Sequence, residues 1–176
     1  LTKRTSYPVS SHYLIPEKGD PTYPRNQLKT YLLVEERNRA WHAGRSFWRD
    51  QKDLNHTSIG IELVNLSGCE NPIADLGNSE EFYKSCHFKE FDHEQIKLLV
   101  EVLKSIQDRY PNIKPINIVG HSDVAPNRKV DPGPTFPWKI LYKEGFGIWY
   151  DEADYLFFLR SFKQNTPTVE EMQSRL

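Results

Sequence analysis

Apolar positions fall into short runs through most of the chain and into one long helical stripe near residue 100. Residues 10–15 end at Pro16 and read as a strand, because proline stops ladder pairing. Residues 28–34 are rich in β-favouring side chains and predict a second strand. Over residues 57–64 the alternation puts Ile59, Ile61 and Leu63 on one face of a third strand and Gly60, Glu62 and Val64 on the other. A helix starts at Asp92, with Asp92 as N-cap, Gln95 in the capping-box position and Phe91 with Ile96 as a hydrophobic staple. Ile96, Leu99, Val100, Leu103, Ile106 and Tyr110 then recur at helical spacing and form a stripe able to cover a sheet, until Pro111 ends it. Residues 116–119 are a short apolar run that predicts a buried strand, from which Gly120 lets the backbone swing outward. Pro137 suits the first position of a short helix that carries Trp138, Ile140 and Leu141 toward the body and closes at Gly145. Residues 151–162 predict a further helix, and Thr168-x-x-Glu171 is a capping box that opens one more. Residues 16–26 and 65–90 read as polar connections.

The densest chemistry lies in the turn-rich loop from His121 to Trp138. Imidazole nitrogen and carboxylate oxygen are both ordinary zinc ligands, and a catalytic zinc keeps about three protein ligands plus an open position for water. His121 and Asp131 are therefore candidate metal ligands, and the Pro-Gly-Pro after Asp131 rules out helix and holds its carboxylate in a rigid turn. Lys129 can place an ammonium where an oxyanion develops on a substrate carbonyl. By themselves, a His and an Asp ten apart in a loop are ordinary polar residues. The cluster Ala40-Trp41-His42-Ala43-Gly44 offers a flat apolar wall and one polar contact suited to a sugar or peptide stem, with a core Trp41 as the alternative. Glu62 faces away from the apolar set, and Gly60 beside it leaves room for a substrate backbone. A lone strand histidine such as His12 is more often a hydrogen-bonded core residue than a ligand.

The string G-H-S-D-x-A-P-x-R-K-x-D-P-G-P-x-F-P-W, from Gly120 to Trp138, resembles the signature of the zinc-dependent N-acetylmuramoyl-L-alanine amidases. These are the AmpD/AmiD-like peptidoglycan hydrolases, and the resemblance is nearest to the periplasmic AmiD-like branch. Val9 to Pro16, Ala40 to Gly44 and Asn55 to Glu62 match in the same order, so the resemblance covers roughly residues 9–150. It implies an α/β fold like that of the peptidoglycan-recognition proteins, with a central mixed β-sheet flanked by helices and a cleft along the strand ends. It also implies zinc as cofactor at His121 and Asp131, Glu62 as general base, Lys129 as oxyanion stabiliser, and a substrate cleft lined by Trp41, His42 and Ala43. The family takes its first zinc ligand from a His-Tyr-Thr that closes a strand ahead of the Ser10-Ser11-His12-Tyr13 stretch, a strand this sequence lacks, with residue 1 falling in the helix after it. Where the family pattern reads Asn-Asp-Thr, this chain has His56 in the middle, which leaves the role of His56 open. The expected domains are an N-terminally incomplete catalytic domain at 1–150, then a helical linker and the start of a peptidoglycan-binding domain at 151–176.

A chain of 176 residues is long enough to bury one core. With 23 basic against 24 acidic side chains it shows no charge surplus for nucleic acid or an anionic membrane, and no apolar run reaches membrane length. The expected partners are peptidoglycan or muropeptides, with no nucleic acid and no membrane contact from the visible chain, which is expected to be monomeric. Cys69 and Cys86 either form a disulfide, which would fit an oxidising compartment, or remain two thiols. The expected location is the periplasm, with outer-membrane association through an anchor upstream of residue 1. The rival functions are a non-catalytic peptidoglycan-binding module with an incomplete metal site and a cytoplasmic enzyme recycling anhydro-muropeptides, which a disulfide would exclude.

Overall fold

The computed structural model describes residues 9–65, 67–69, 82, 84–166 and 168. In chain order its strands are β1 (Tyr13–Ile15), β2 (Tyr31–Leu32), β3 (Phe47–Trp48), β4 (Gln51–Lys52), β5 (Ile61–Leu63), β6 (Gly68–Cys69) and β7 (Cys86–His87). Its helices are α1 (His93–Arg109), α2 (His121–Val124), α3 (Trp138–Lys143) and α4 (Glu152–Gln164), with 3-10 turns at Leu54–His56 and Pro115–Asn117. β1 is central, antiparallel to β2 and parallel to β5, so the sheet is mixed as the family resemblance implies. The register sets Tyr13 opposite Ile61, Leu14 opposite Glu62 and Ile15 opposite Leu63. Alternation then sends Tyr13, Ile15, Ile61 and Leu63 to one face and leaves Leu14 and Glu62 on the other.

α1 covers the first face. Ile96, Leu99, Val100, Val102, Leu103 and Ile106 pack with Ile15, and Phe136, Leu141 and Phe146 complete the core from the C-terminal side. Each such side chain contributes about 1.5–3 kcal/mol when fully buried, so this layer fixes where the opposite face sits. Asp92 caps α1 as expected: its Oδ1 accepts from Glu94 N at 2.8 Å and Gln95 N at 3.2 Å.

Several elements differ from the sequence reading, each for a physical reason. Gln95 does not return to the helix cap. It is fully buried, and its Nε2 donates toward the carbonyls of Ile15 (3.2 Å), Pro16 (3.1 Å) and Val64 (2.8 Å), joining the exits of β1 and β5 to the helix. Gln95→Leu is therefore expected to lower the unfolding free energy by about 2 kcal/mol, since buried acceptors lose their donor; a urea titration showing a loss under about 0.5 kcal/mol would count against this role. The run at 116–119 is not a strand, because Pro115 lacks a donor and opens a 3-10 turn instead; Ile118 and Val119 still pack inward. The predicted second strand shortens to Tyr31–Leu32, at an edge where Leu32 and Leu33 are exposed, and beyond it Leu33 N still donates to His12 O at 2.8 Å. Tyr110 caps α1 rather than joining the stripe, and Ile140 faces solvent while Leu141 is buried.

α4 begins at its Asp151 cap and buries no residue, exposing Tyr155, Leu156, Phe157, Phe158 and Phe162. Lys139 of α3 pairs with Glu152 at its start. Residues 1–8, and the helix expected to open at Thr168-x-x-Glu171 apart from Thr168 itself, lie outside the described residues.

Candidate active site

The face that carries Leu14 and Glu62 is shaped by two histidines. His12 is 1% exposed, its Nδ1 accepts from Gly60 N at 3.0 Å, and its Nε2 donates to Asn38 O at 3.0 Å. It is a satisfied core residue that locks the approach to β5 against β1. The His42 ring meets it edge-on, 5.5 Å between centroids, and lies directly on Gly60: a Cβ there would stand 2.2 Å from His42 Cγ. Gly60 thus makes room for an imidazole of this chain, not for a substrate backbone.

Burial first, then the neighbouring His12, lower the His42 pKa from 6.5 to about 4, against the raising effect of its hydrogen bond to Ser58 O; a smaller lowering comes from His121. The unfolded chain therefore binds more protons than the folded one between these values. The contribution of His42 to stability is complete above pH 6.5 and is lost progressively as pH falls toward 4. In His42→Gln, the thermal midpoint is expected to fall less steeply than in the wild type across that window; equal slopes would contradict the assignment.

The loop after His42 is pinned by residues the sequence reading missed. Asn55 Oδ1 accepts from His42 N (2.9 Å) and Ala43 N (2.7 Å), and Arg128 Nη2 donates to Ala43 O (2.8 Å) and Arg45 O (3.1 Å). Ala43 is buried, and its carbonyl also lies 3.3 Å from His121 Nε2. Gly44 has φ +58 and sits against the Arg128 guanidinium, so both its conformation and its contact favour glycine.

His121 opens α2, and Asp131 is brought to it by a backbone hydrogen bond and a close packing contact, beside a third contact that closes the start of α2. Ser122 N donates to Asp131 O at 2.8 Å, Gly120 N donates to Asp123 Oδ2 at 2.7 Å, and Pro132 packs so closely on Gly120 that a Cβ there would stand 2.5 Å from Pro132 Cδ. Gly120 has φ −79, so close approach, not an unusual backbone swing, requires the glycine. His121 Nδ1 then lies 3.1 Å from Asp131 Oδ2. Both ring nitrogens face oxygen acceptors, yet a neutral imidazole donates from only one of them. A cation shared by the ring and the carboxylate resolves that conflict, and the separation is close to the ~3.4 Å between two ligands of a tetrahedral ion at ~2.1 Å. The pair thus fits a divalent metal; among the described residues no group of three or more His, Cys, Asp or Glu side chains is placed to hold one.

Glu62 and Lys129 belong to the same neighbourhood. Burial first and the Asp131 charge second raise the Glu62 pKa above its usual value, with Lys129 and His121 acting in the opposite direction. Burial alone would also raise Asp131, but the His121 hydrogen bond and the His121 and Lys129 charges outweigh it and hold Asp131 below the ordinary range. Glu62 is solvent-facing on its strand, yet enough protein surrounds its carboxyl for desolvation to lead. Trp41 is 47% exposed and so is not core; the Arg39 guanidinium stacks 3.6 Å from its ring centroid, and Arg39 Nη1 donates to His56 Nε2 at 2.8 Å, which gives His56 its place.

A model of the N-acetylmuramoyl-L-alanine amidase family matches residues 2–134. The chain belongs to this family. Within it, the chain is 41% identical over 170 residues to N-acetylmuramoyl-L-alanine amidase AmiD of Escherichia coli K12, covering 95% of this chain and 55% of the relative. It is 33% identical over 130 residues to the 1,6-anhydro-N-acetylmuramyl-L-alanine amidase AmpD of the same organism, covering 74% and 55%. Among solved structures, AmpDh3 from Pseudomonas aeruginosa in complex with anhydromuramic pentapeptide superposes with a TM-score of 0.79 at 39% identity, covering 97% of this chain and 64% of that one. E. coli AmiD in complex with the substrate anhydro-N-acetylmuramic acid-L-Ala-D-gamma-Glu-L-Lys gives 0.68 at 42%, covering 86% and 54%. The chain spans about half the length of the curated relatives it matches.

Proposed function

We propose that this chain hydrolyses the amide between N-acetylmuramic acid and L-alanine in peptidoglycan or its fragments, with zinc held by His121 and Asp131. The observation that carries the reading is the convergence of His121 Nδ1 and Asp131 Oδ2 at 3.1 Å, with the elevated Glu62 and the Lys129 ammonium beside them. The names of its amidase relatives and the muramyl peptides bound to two of their structures support the substrate class.

Bound zinc supplies a Lewis acid that polarises the lactyl carbonyl and lowers the pKa of water. The Glu62 carboxylate accepts the proton of the attacking water, and the water oxygen adds to the lactyl carbon. Lys129 stabilises the negative charge that develops on the carbonyl oxygen. Glu62 then returns the proton to the amide nitrogen as the C–N bond breaks, leaving a lactyl carboxylate and a free L-alanyl amine. A raised Glu62 pKa suits this transfer, because it makes the carboxylate a stronger base toward the attacking water and brings the group closer to the operating pH, so that the acid form persists long enough to protonate the leaving amine. His42, neutral at pH 7, Trp41 and the Ala43 backbone are assigned to the wall that receives the sugar and the peptide stem. Incubation with a muramyl-L-alanyl peptide is expected to release one new L-alanyl amine per bond cut; an intact peptide in the presence of zinc would leave only a binding module.

The location we propose is the periplasm, supported by the bond between Cys69 and Cys86. We assign residues 151–166 to a helical linker outside the catalytic domain, supported by the lack of any buried residue on α4.

A further inference from the structure

The disulfide hairpin and the Asp131 turn are tied together side chain by side chain. Cys69 and Cys86 are bonded across the β6–β7 pair. Just beyond β7, the Phe88 ring lies on Gly133, where an added Cβ would stand 2.6 Å from Phe88 Cδ1. The next residue is held from both sides: Lys89 N donates to Ser67 Oγ at 2.8 Å, and Lys89 O accepts from Thr135 Oγ1 at 3.0 Å. The Lys89 ammonium pairs with the almost fully buried Glu17. Gly133 and Thr135 follow Asp131 closely in the chain, so the hairpin grips the segment that delivers the carboxylate. Between the two lies a cavity of about 300 Å³ whose lining includes Cys69, Phe88, Lys129, Asp131 and Pro132.

We propose that the Cys69–Cys86 hairpin positions the Asp131 carboxylate, acting through Phe88 and Lys89, so that opening the disulfide weakens the hold on zinc. This inference rests on the zinc-amidase reading above. The paired strands of the hairpin are two residues each, too short to persist without another constraint. The disulfide supplies that constraint by tying the two strands together covalently. Opening it requires a dithiol reductant: the S–S bond breaks, two electrons and two protons pass to the cysteines, and the dithiol closes to its own disulfide. Phe88 is then free to leave Gly133, and the hold on the Asp131 turn from that side loosens to the hydrogen bond between Thr135 and Lys89. Loss of such outer support costs about 10–100-fold in metal affinity.

The test is the zinc dissociation constant of the full chain, measured by competition with a chromophoric chelator, together with kcat and KM. Cys69→Ser/Cys86→Ser opens the bond without creating thiols that would bind zinc themselves. Phe88→Ala cuts the link with the disulfide intact, and Phe88→Leu restores an apolar contact on Gly133. The expected result is zinc affinity about 10–100-fold weaker in the double-serine and Phe88→Ala proteins and close to wild type in Phe88→Leu. KM should stay unchanged and saturating zinc should recover kcat, which a general loss of structure would not allow. Should the double-serine protein fail to fold, as circular dichroism would report, Phe88→Ala decides the question alone. Equal zinc affinity in Phe88→Ala and wild type overturns the inference and leaves the zinc-amidase reading standing. Absence of zinc binding by the wild type overturns that reading, and the inference with it.

Discussion

Glu62→Gln is expected to reduce kcat/KM for muramyl-peptide hydrolysis by about 10³-fold, within the 10²–10⁴ range for loss of a general acid–base group. The amide keeps the size and the hydrogen-bonding reach of the side chain but can neither take a proton from water nor return one to the leaving amine. Glu62 lies outside the buried core, so thermal stability and zinc binding should be nearly unaffected. The pH profile adds a second reading of the same role. A base must be ionised, so wild-type kcat/KM should fall as pH drops through the Glu62 pKa, and that acid limb should sit above the 4.5 of an ordinary glutamate because burial and Asp131 raise it. Residual activity of the Gln variant should show no limb there. A loss smaller than about tenfold would remove Glu62 from the proton transfer.

The second large effect concerns the metal pair. Asp131→Ala and His121→Ala should each abolish measurable turnover at trace zinc, a loss of at least about 10³-fold, because a catalytic site cannot spare one of about three protein ligands. The two classes of variant separate under added metal: excess zinc should partly restore Asp131→Ala, where His121 remains, and should do nothing for Glu62→Gln. Kinetics at a series of zinc concentrations checks this. Zinc-independent activity in either ligand variant would exclude the assignment of the pair.

The long helix α1 could be read from the sequence because its signals are local: an apolar stripe, an acidic cap and a proline stop act within a few residues. The strands were harder, since pairs of two or three residues leave most of an apolar run, such as 28–34, outside any ladder. At the site, His121, Asp131, Glu62 and Lys129 were visible through residue type, turn chemistry and family resemblance, and the structure brings them into one neighbourhood. Asn55 and Arg128 stand inside the stretches that carry the resemblance, but their roles were not visible, because they act on backbone groups of the loop at 42–45, and no periodicity marks contacts made 13 or 85 residues away. Gly60 and Gly120 were rightly singled out for the wrong reason. Each glycine admits a ring of this chain, His42 or Pro132, and such close packing cannot be told from backbone freedom in a sequence. His56, left without a role by the pattern, gains one only through Arg39, which reaches it from a different loop.

The most direct measurement of the central claim is a zinc titration of chelator-stripped protein in which bound metal and release of the L-alanyl amine are followed in the same sample. Cleavage should start near zero, rise in proportion to bound zinc and level off at about one ion per chain. Stripped protein that cleaves at full rate, or zinc-saturated protein that leaves the muramyl amide intact, would contradict it.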